Sequence, residues 1–206
     1  MSGVRVKICG MTREADVLAA VAADADALGF VFTPRSKRFL GTERASELAA
    51  LVPPFIVRVA LFMDQPAEEI ARVLEQVPVN LLQFHGGEDA AFCRQFDRPY
   101  LKAVSMASPA AVAVAGESWP DAAGFLLDSH APGGAGGTGR TFDWTAIPAL
   151  PRPVVLAGGL TPENVGEAVA AVRPWAVDVS SGVEESPGIK SAAKMQKFVR
   201  EAKREY

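Results

Sequence analysis

Cys9 ends the run VRVKICGMT (residues 4–12), in which valine and isoleucine alternate with basic residues up to a glycine and a threonine. Free cysteine is among the most frequently buried residue types, so a thiol in a strand is by default core. One that closes a strand just before a glycine and a helix start has different neighbours. There a thiolate can serve as base or nucleophile, provided positive charge lowers its pKa from about 8.5. Lys7 and the nearby helix N-terminus are expected to supply that charge. Asp128 closes GFLLDS in the same way. A carboxyl group there is either a turn residue or a general acid, and the second role requires desolvation or neighbouring negative charge to keep it protonated. Cys93, within the helical pattern DAAFCRQF, is expected to be core.

Other segments suit binding. His85 in QFHG is assigned a binding role only. PRSKRFLG offers a guanidinium fitted to bidentate capture of a carboxylate, although chemistry alone does not choose among Arg35, Lys37 and Arg38. Three glycine-rich stretches follow candidate strands: GGAGGTGRTFDW (133–144), LAGGLTPENV (156–165) and VDVSSGVEESPG (177–188). Glycines let backbone N–H groups approach an anion, and a helix N-terminus adds positive potential, so together they predict a phosphate site. No P-loop lysine accompanies them, no G-x-G-x-x-G follows the first strand, and no metal-ligand spacing is present.

These residues need a frame that brings them to one place. Short β-branched runs at 4–9, 27–32, 55–62, 80–85, 100–104, 124–128, 153–157 and 175–180 read as strands. Helical patterns fall at 13–23, 42–51, 67–76, 88–96, 108–115, 161–172 and 190–204, with at most a turn around FDWTAI. Thr12, Thr42 and Thr161 are expected N-caps, with Pro162 opening the helix after Thr161. Strict alternation implies a parallel sheet. Eight units in 206 residues match the lower size limit of a single-domain (β/α)8 TIM barrel spanning 1–206; an open doubly wound sheet is the alternative. Side-chain parity then places Arg5, Lys7 and Cys9 inside the barrel. Gln83 and His85 share an inner face, as do Gly124, Leu126 and Asp128, and Ala176, Asp178 and Ser180. Arg58 and Lys102 are assigned inward too. Strands 1 and 8 are neighbours in a closed barrel, so Lys7 and Asp178 are expected to pair below Cys9.

Composition limits the partners. A net charge of −3 gives no broad basic surface for nucleic acid. The most apolar region, LAALVPPFIVRVALFM, is interrupted by Pro53, Pro54 and Arg58 and is no membrane span. Two cysteines and no signal-peptide pattern suggest a reducing, cytoplasmic setting. Monomer and homodimer both remain open.

KICGMT, GFVF…SKRFL, QFHGGED, LLDS, GGTGRTFDW, LAGGLTPENV and VDVSSGVEESPGIK, taken together and in this order, closely resemble the phosphoribosylanthranilate isomerase family. The resemblance implies a (β/α)8 barrel that catalyses an Amadori rearrangement of a phosphorylated aminoaldose, in tryptophan biosynthesis, without a cofactor. By this resemblance Asp128 is the general acid and Cys9 the general base. Arg38 matches the arginine near the anthranilate carboxylate. The loops around Gly137, Gly159 and Gly182, with Gly158, Ser180 and Ser181 beside them, match the phosphate site. Phe84 and Ser191 depart from the family pattern. The related isomerase of the histidine pathway would carry an aspartate in place of Cys9. An FMN barrel would need more loop than 206 residues leave.

Overall fold

The computed structural model describes residues 3–129 and 147–204. Eight parallel strands pair in sequence order: β1 (Arg5–Cys9), β2 (Ala27–Val31), β3 (Val57–Phe62), β4 (Leu81–Phe84), β5 (Tyr100–Ser105), β6 (Gly124–Asp128), β7 (Val154–Ala157) and β8 (Ala176–Val179). β8 pairs back onto β1 and closes the barrel, which excludes the open sheet. Around it lie α1 (Glu14–Ala22), α2 (Thr42–Ala50), α3 (Ala67–Gln76), α4 (Ala90–Arg94), α5 (Pro109–Ala113), α6 (Ala115–Ser118), α7 (Val165–Val172) and α8 (Ala192–Ala202). The pattern at 108–115 is thus two short helices meeting at Val114. The turn expected around FDWTAI lies almost wholly outside the described residues.

Alternate residues of each strand face two different layers. Val6, Ile8, Leu28, Phe30, Phe62 and Phe84 point outward and pack against Val17, Leu48, Ile70 and Phe198 of the helices. Burying each such side chain contributes about 1.5–3 kcal/mol, and this layer is the main core. A smaller apolar layer inside the barrel joins Leu101, Leu126, Val155, Ala157 and Ala176. Phe84 sits at the centre of an aromatic cluster with Phe62, Phe92, Phe96 and Tyr100, its ring centroid 5.8–6.2 Å from theirs. That cluster accommodates a ring where the family pattern suggests a smaller side chain.

Two inward assignments are corrected. Lys102 points outward, because Leu101 and Ala103 occupy the inner face of β5. Its ammonium is paired with Glu88 at 3.0 Å, bonded to the Gly86 carbonyl at 2.5 Å, and lies 5.3 Å from the centre of the Trp119 ring. Arg58 also points outward, donating from Nε to Asn80 Oδ1 at 3.1 Å near the start of β3. The expected caps shift as well. Arg13, Gly41 and Asn164 occupy the N-cap positions of α1, α2 and α7. Thr161 still acts one turn before α7, its hydroxyl accepting from the Glu163 N–H and its carbonyl from the Val165 N–H.

Candidate active site

β1 runs toward the barrel mouth and delivers Cys9 to its rim. Register pairs Lys7 with Asp178 across β1 and β8, and their side chains form a buried ion pair at 2.9 Å. The expected pair is therefore present. The Lys7 ammonium also acts electrostatically on the Cys9 thiol. Burial pulls the Lys7 pKa down, but Asp178 and Cys9 together hold it above its ordinary value. The thiol itself departs from expectation. Cys9 is 4% exposed, and burial pushes its pKa up further than Lys7 and Lys190 bring it down. The positive charge of Lys7 agrees with the sequence; that of Lys190 and the depth of burial do not follow from it.

Gly10 takes φ +83°, a left-handed backbone that few other residues adopt. A side chain there would collide with the aliphatic stem of Arg38, which lies across the turn after β1. Of the three cations in the loop after β2, Arg38 is thus the one drawn to the rim, while Arg35 and Lys37 are exposed. Its Nε and one Nη donate to the two carboxylate oxygens of Glu184 at 2.7 and 2.6 Å. Glu184 opens a hairpin, β9 (Glu184–Ser186) and β10 (Ile189–Lys190), which follows a 3₁₀ turn at Ser181–Val183. Neither Glu184 nor Lys190 was singled out from the sequence. The Pro187-Gly188 pair between them is the one local signal of a turn.

On the other side of the mouth, β6 ends in Asp128 and β4 leads to His85. His85 Nε2 lies 3.4 Å from Asp128 Oδ2, and its Nδ1 is 3.1 Å from the Gln83 amide nitrogen. Gln83 is fully buried, and its Oε1 is a buried polar atom without a hydrogen-bond partner among the described residues. His85 thus borders the proposed acid directly. Gly158, at φ +82°, packs against the same carboxyl group; a Cβ there would lie 2.5 Å from Asp128 Oδ1.

Gly159 follows in the left-handed region at φ +65°. The loops after β7 and β8 touch, with Gly182 so close to the Leu160 carbonyl that no side chain fits between them. Ser180 donates its hydroxyl to the Cys9 carbonyl at 3.0 Å and so ties the β8 rim to the β1 rim. Ser181 begins the 3₁₀ turn beside Gly182. Gly137 lies outside the described residues. No group of three or more His, Cys, Asp and Glu suited to a metal occurs among the described residues. None of the described helices is long and apolar enough to cross a membrane.

Residues 6–201 match the family model for N-(5′-phosphoribosyl)anthranilate (PRA) isomerase. The N-(5′-phosphoribosyl)anthranilate isomerase of Dechloromonas aromatica is 54% identical over 196 residues, covering 95% of this chain and 94% of that one. The phosphoribosyl anthranilate isomerase structure from Thermotoga maritima superposes with a TM-score of 0.89 at 42% identity, covering 97% of this chain and 98% of that one. A second solved structure, of phosphoribosyl anthranilate isomerase in complex with reduced 1-(o-carboxyphenylamino)-1-deoxyribulose 5-phosphate, gives 0.85 at 40% identity with the same coverage. The chain belongs to the N-(5′-phosphoribosyl)anthranilate isomerase family.

Proposed function

We propose that Cys9 and Asp128 carry the family reaction in this chain. The protein is a phosphoribosylanthranilate isomerase of tryptophan biosynthesis, converting an aminoaldose to an aminoketose. Asp128, in its protonated form, gives its proton to the furanose ring oxygen, and the C1′–O bond opens to an iminium. Cys9, as thiolate, removes the C2′ proton, and its electron pair forms the C1′–C2′ double bond of an enolamine. Tautomerisation to the ketone returns the protons and completes an isomerisation with no net gain or loss of atoms. The substrate's own nitrogen is the electron sink, so the chemistry draws on no cofactor.

The observation that carries this reading is the pairing at each strand end. The thiol stands beside an ammonium, and the carboxyl group stands beside an imidazole. Burial favours the neutral thiol. Lys7 opposes that effect, and the cationic iminium opposes it further once the ring opens. Arg38 receives the anthranilate carboxylate, and the adjoining loops around Gly158, Gly159, Ser180, Ser181 and Gly182 hold the phosphate, with Gly137 as a third contributor.

The test follows the fluorescence decay of freshly prepared phosphoribosylanthranilate. A positioned acid or base is worth about 10²–10⁴ in rate, so Cys9→Ala and Asp128→Asn should each lose that much kcat, whereas Cys93→Ala stays near wild type. Similar kcat values for the two cysteine variants would remove Cys9 from the mechanism. The proposed setting is cytoplasmic, and the whole chain (1–206) is proposed as one barrel domain. Dimeric forms occur among the structures it resembles, and monomer or homodimer is the proposed assembly, which light scattering distinguishes.

A further inference from the structure

Arg38 is held along one edge. Its Nε and one Nη are engaged by Glu184, and the remaining guanidinium N–H groups have no hydrogen-bond partner among the described residues. Glu184 is itself buried and is fixed by more than this pair. Lys190 Nζ donates to Glu184 Oε1 at 2.9 Å, the Gly188 N–H donates to the same oxygen at 3.3 Å, and Lys194 Nζ reaches the Glu184 carbonyl at 2.7 Å. The Thr12 hydroxyl donates to the Gly188 carbonyl and ties the hairpin to the loop after β1.

Lys190, fully buried at its side chain, has three acceptors: Glu184 Oε1, the Ser180 carbonyl at 3.0 Å and the Ser180 hydroxyl at 3.3 Å. Three acceptors match the three protons of an ammonium, and Glu184 opposes the burial that lowers its pKa. Glu184 alone would cancel the charge of Arg38. With Lys190 included, the three side chains carry one net positive charge, which matches one carboxylate.

We propose that Glu184 and Lys190 are positioning residues that set selectivity for the substrate's carboxylate. Glu184 holds the guanidinium by one edge, and Lys190 restores the charge that Glu184 removes. A free arginine side chain would lose its rotamer freedom on binding; here that freedom is already spent in the folded protein, so the ligand meets a fixed fork. The proposal rests on the reading of Arg38 as the carboxylate-binding residue.

Glu184→Gln keeps the shape and removes the charge. The loss of charge-assisted bonds to Arg38 should raise KM for phosphoribosylanthranilate about tenfold or more, with kcat changed far less. On the analogue made from aniline, which lacks the carboxylate, the KM difference between variant and wild type should shrink to within about twofold, since no carboxylate pair is at stake. Lys190 is left without its anion in this variant, so Glu184→Gln/Lys190→Met provides a version without the unpaired buried charge. That double variant should recover thermal stability and keep the carboxylate-specific KM defect. A double variant with wild-type KM would overturn the proposal, as would a Glu184→Gln defect equal on both substrates. Arg38→Ala separates the two layers of the inference. If Arg38→Ala discriminates between the substrates and Glu184→Gln does not, the proposal falls alone. If Arg38→Ala fails to discriminate, the assignment of Arg38 falls and takes the proposal with it.

Discussion

Cys9 shows how two opposed effects meet on one atom. Burial penalises the thiolate, Asp178 does so too, and Lys7 and Lys190 favour it; burial wins. The ion pair with Asp178 keeps Lys7 charged inside the barrel, so its cation remains available to the thiol. Removing Lys7 should push the thiol higher still, because the attraction is lost and Asp178 is left unpaired. In a Cys93→Ala background, Lys7→Met should shift the pH profile of Cys9 alkylation upward by about one unit or more, with alkylation near neutrality slowed about tenfold per unit. An unchanged profile would separate Lys7 from the thiol. The alternation of VRVKIC and of AVDVS, with strands 1 and 8 adjacent in a closed barrel, is enough to place Lys7, Cys9 and Asp178 together, because one-residue parity gives each strand's inner face. It could not show the burial that decides the thiol's pKa. Nor could it show that His85 lies against Asp128, a contact between β4 and β6 that strand order across β5 determines.

Among the elements, β5 is where hydropathy misleads. Tyr100, Lys102 and Val104 form one face and Leu101, Ala103 and Ser105 the other, so each face carries a polar group and neither is marked as inner. What settles the matter is the loop after β4. Glu88 accepts from the Asp64 and Gly86 N–H groups and pairs with Lys102, giving the cation a built counter-charge behind the sheet. The hairpin at β9 and β10 was missed because its strands are three and two residues long, too short for a period to register. Strands and helices of the barrel itself were legible, since their periods repeat over five or more residues in most cases. The Lys102–Glu88 pair predicts an asymmetric response. Lys102→Met leaves Glu88 buried and unpaired and should cost about 3–5 kcal/mol in chemical denaturation, whereas Lys102→Met/Glu88→Gln should recover much of the loss. Equal destabilisation in both variants would mean that packing by the lysine stem, not charge, is what matters there.

For the molecule as a whole, buried acids in the outer layer make stability depend on alkaline pH. Burial pushes the Cys93 thiol up to about 12 and the Tyr100 hydroxyl up to about 12, and it raises the Cys9 thiol as well. Cys93 has no exposed surface, and the Tyr100 hydroxyl has no hydrogen-bond partner among the described residues. A raised folded-state pKa means that the folded protein binds more protons than the unfolded chain between the ordinary value and the raised one. Stability is then complete below the ordinary values of about 9 and 10 and falls as pH climbs from there toward about 12. Lys7, also raised, acts in the same direction above its ordinary value of 10.5. Lys190, lowered by burial, acts in the opposite one. With Cys9, Cys93, Tyr100, Lys7 and Lys203 against Lys190, the net slope should be negative. Urea denaturation from pH 8 to 11 should show stability falling with pH, each fully titrating group contributing at most about 1.4 kcal/mol per pH unit. Cys93→Ala should lower stability at pH 8 by leaving a small cavity, yet make the decline above pH 9 shallower than in wild type. Parallel curves for the two proteins would show that the Cys93 thiol ionises in the folded state as readily as in the unfolded chain, and the burial argument for it would fail.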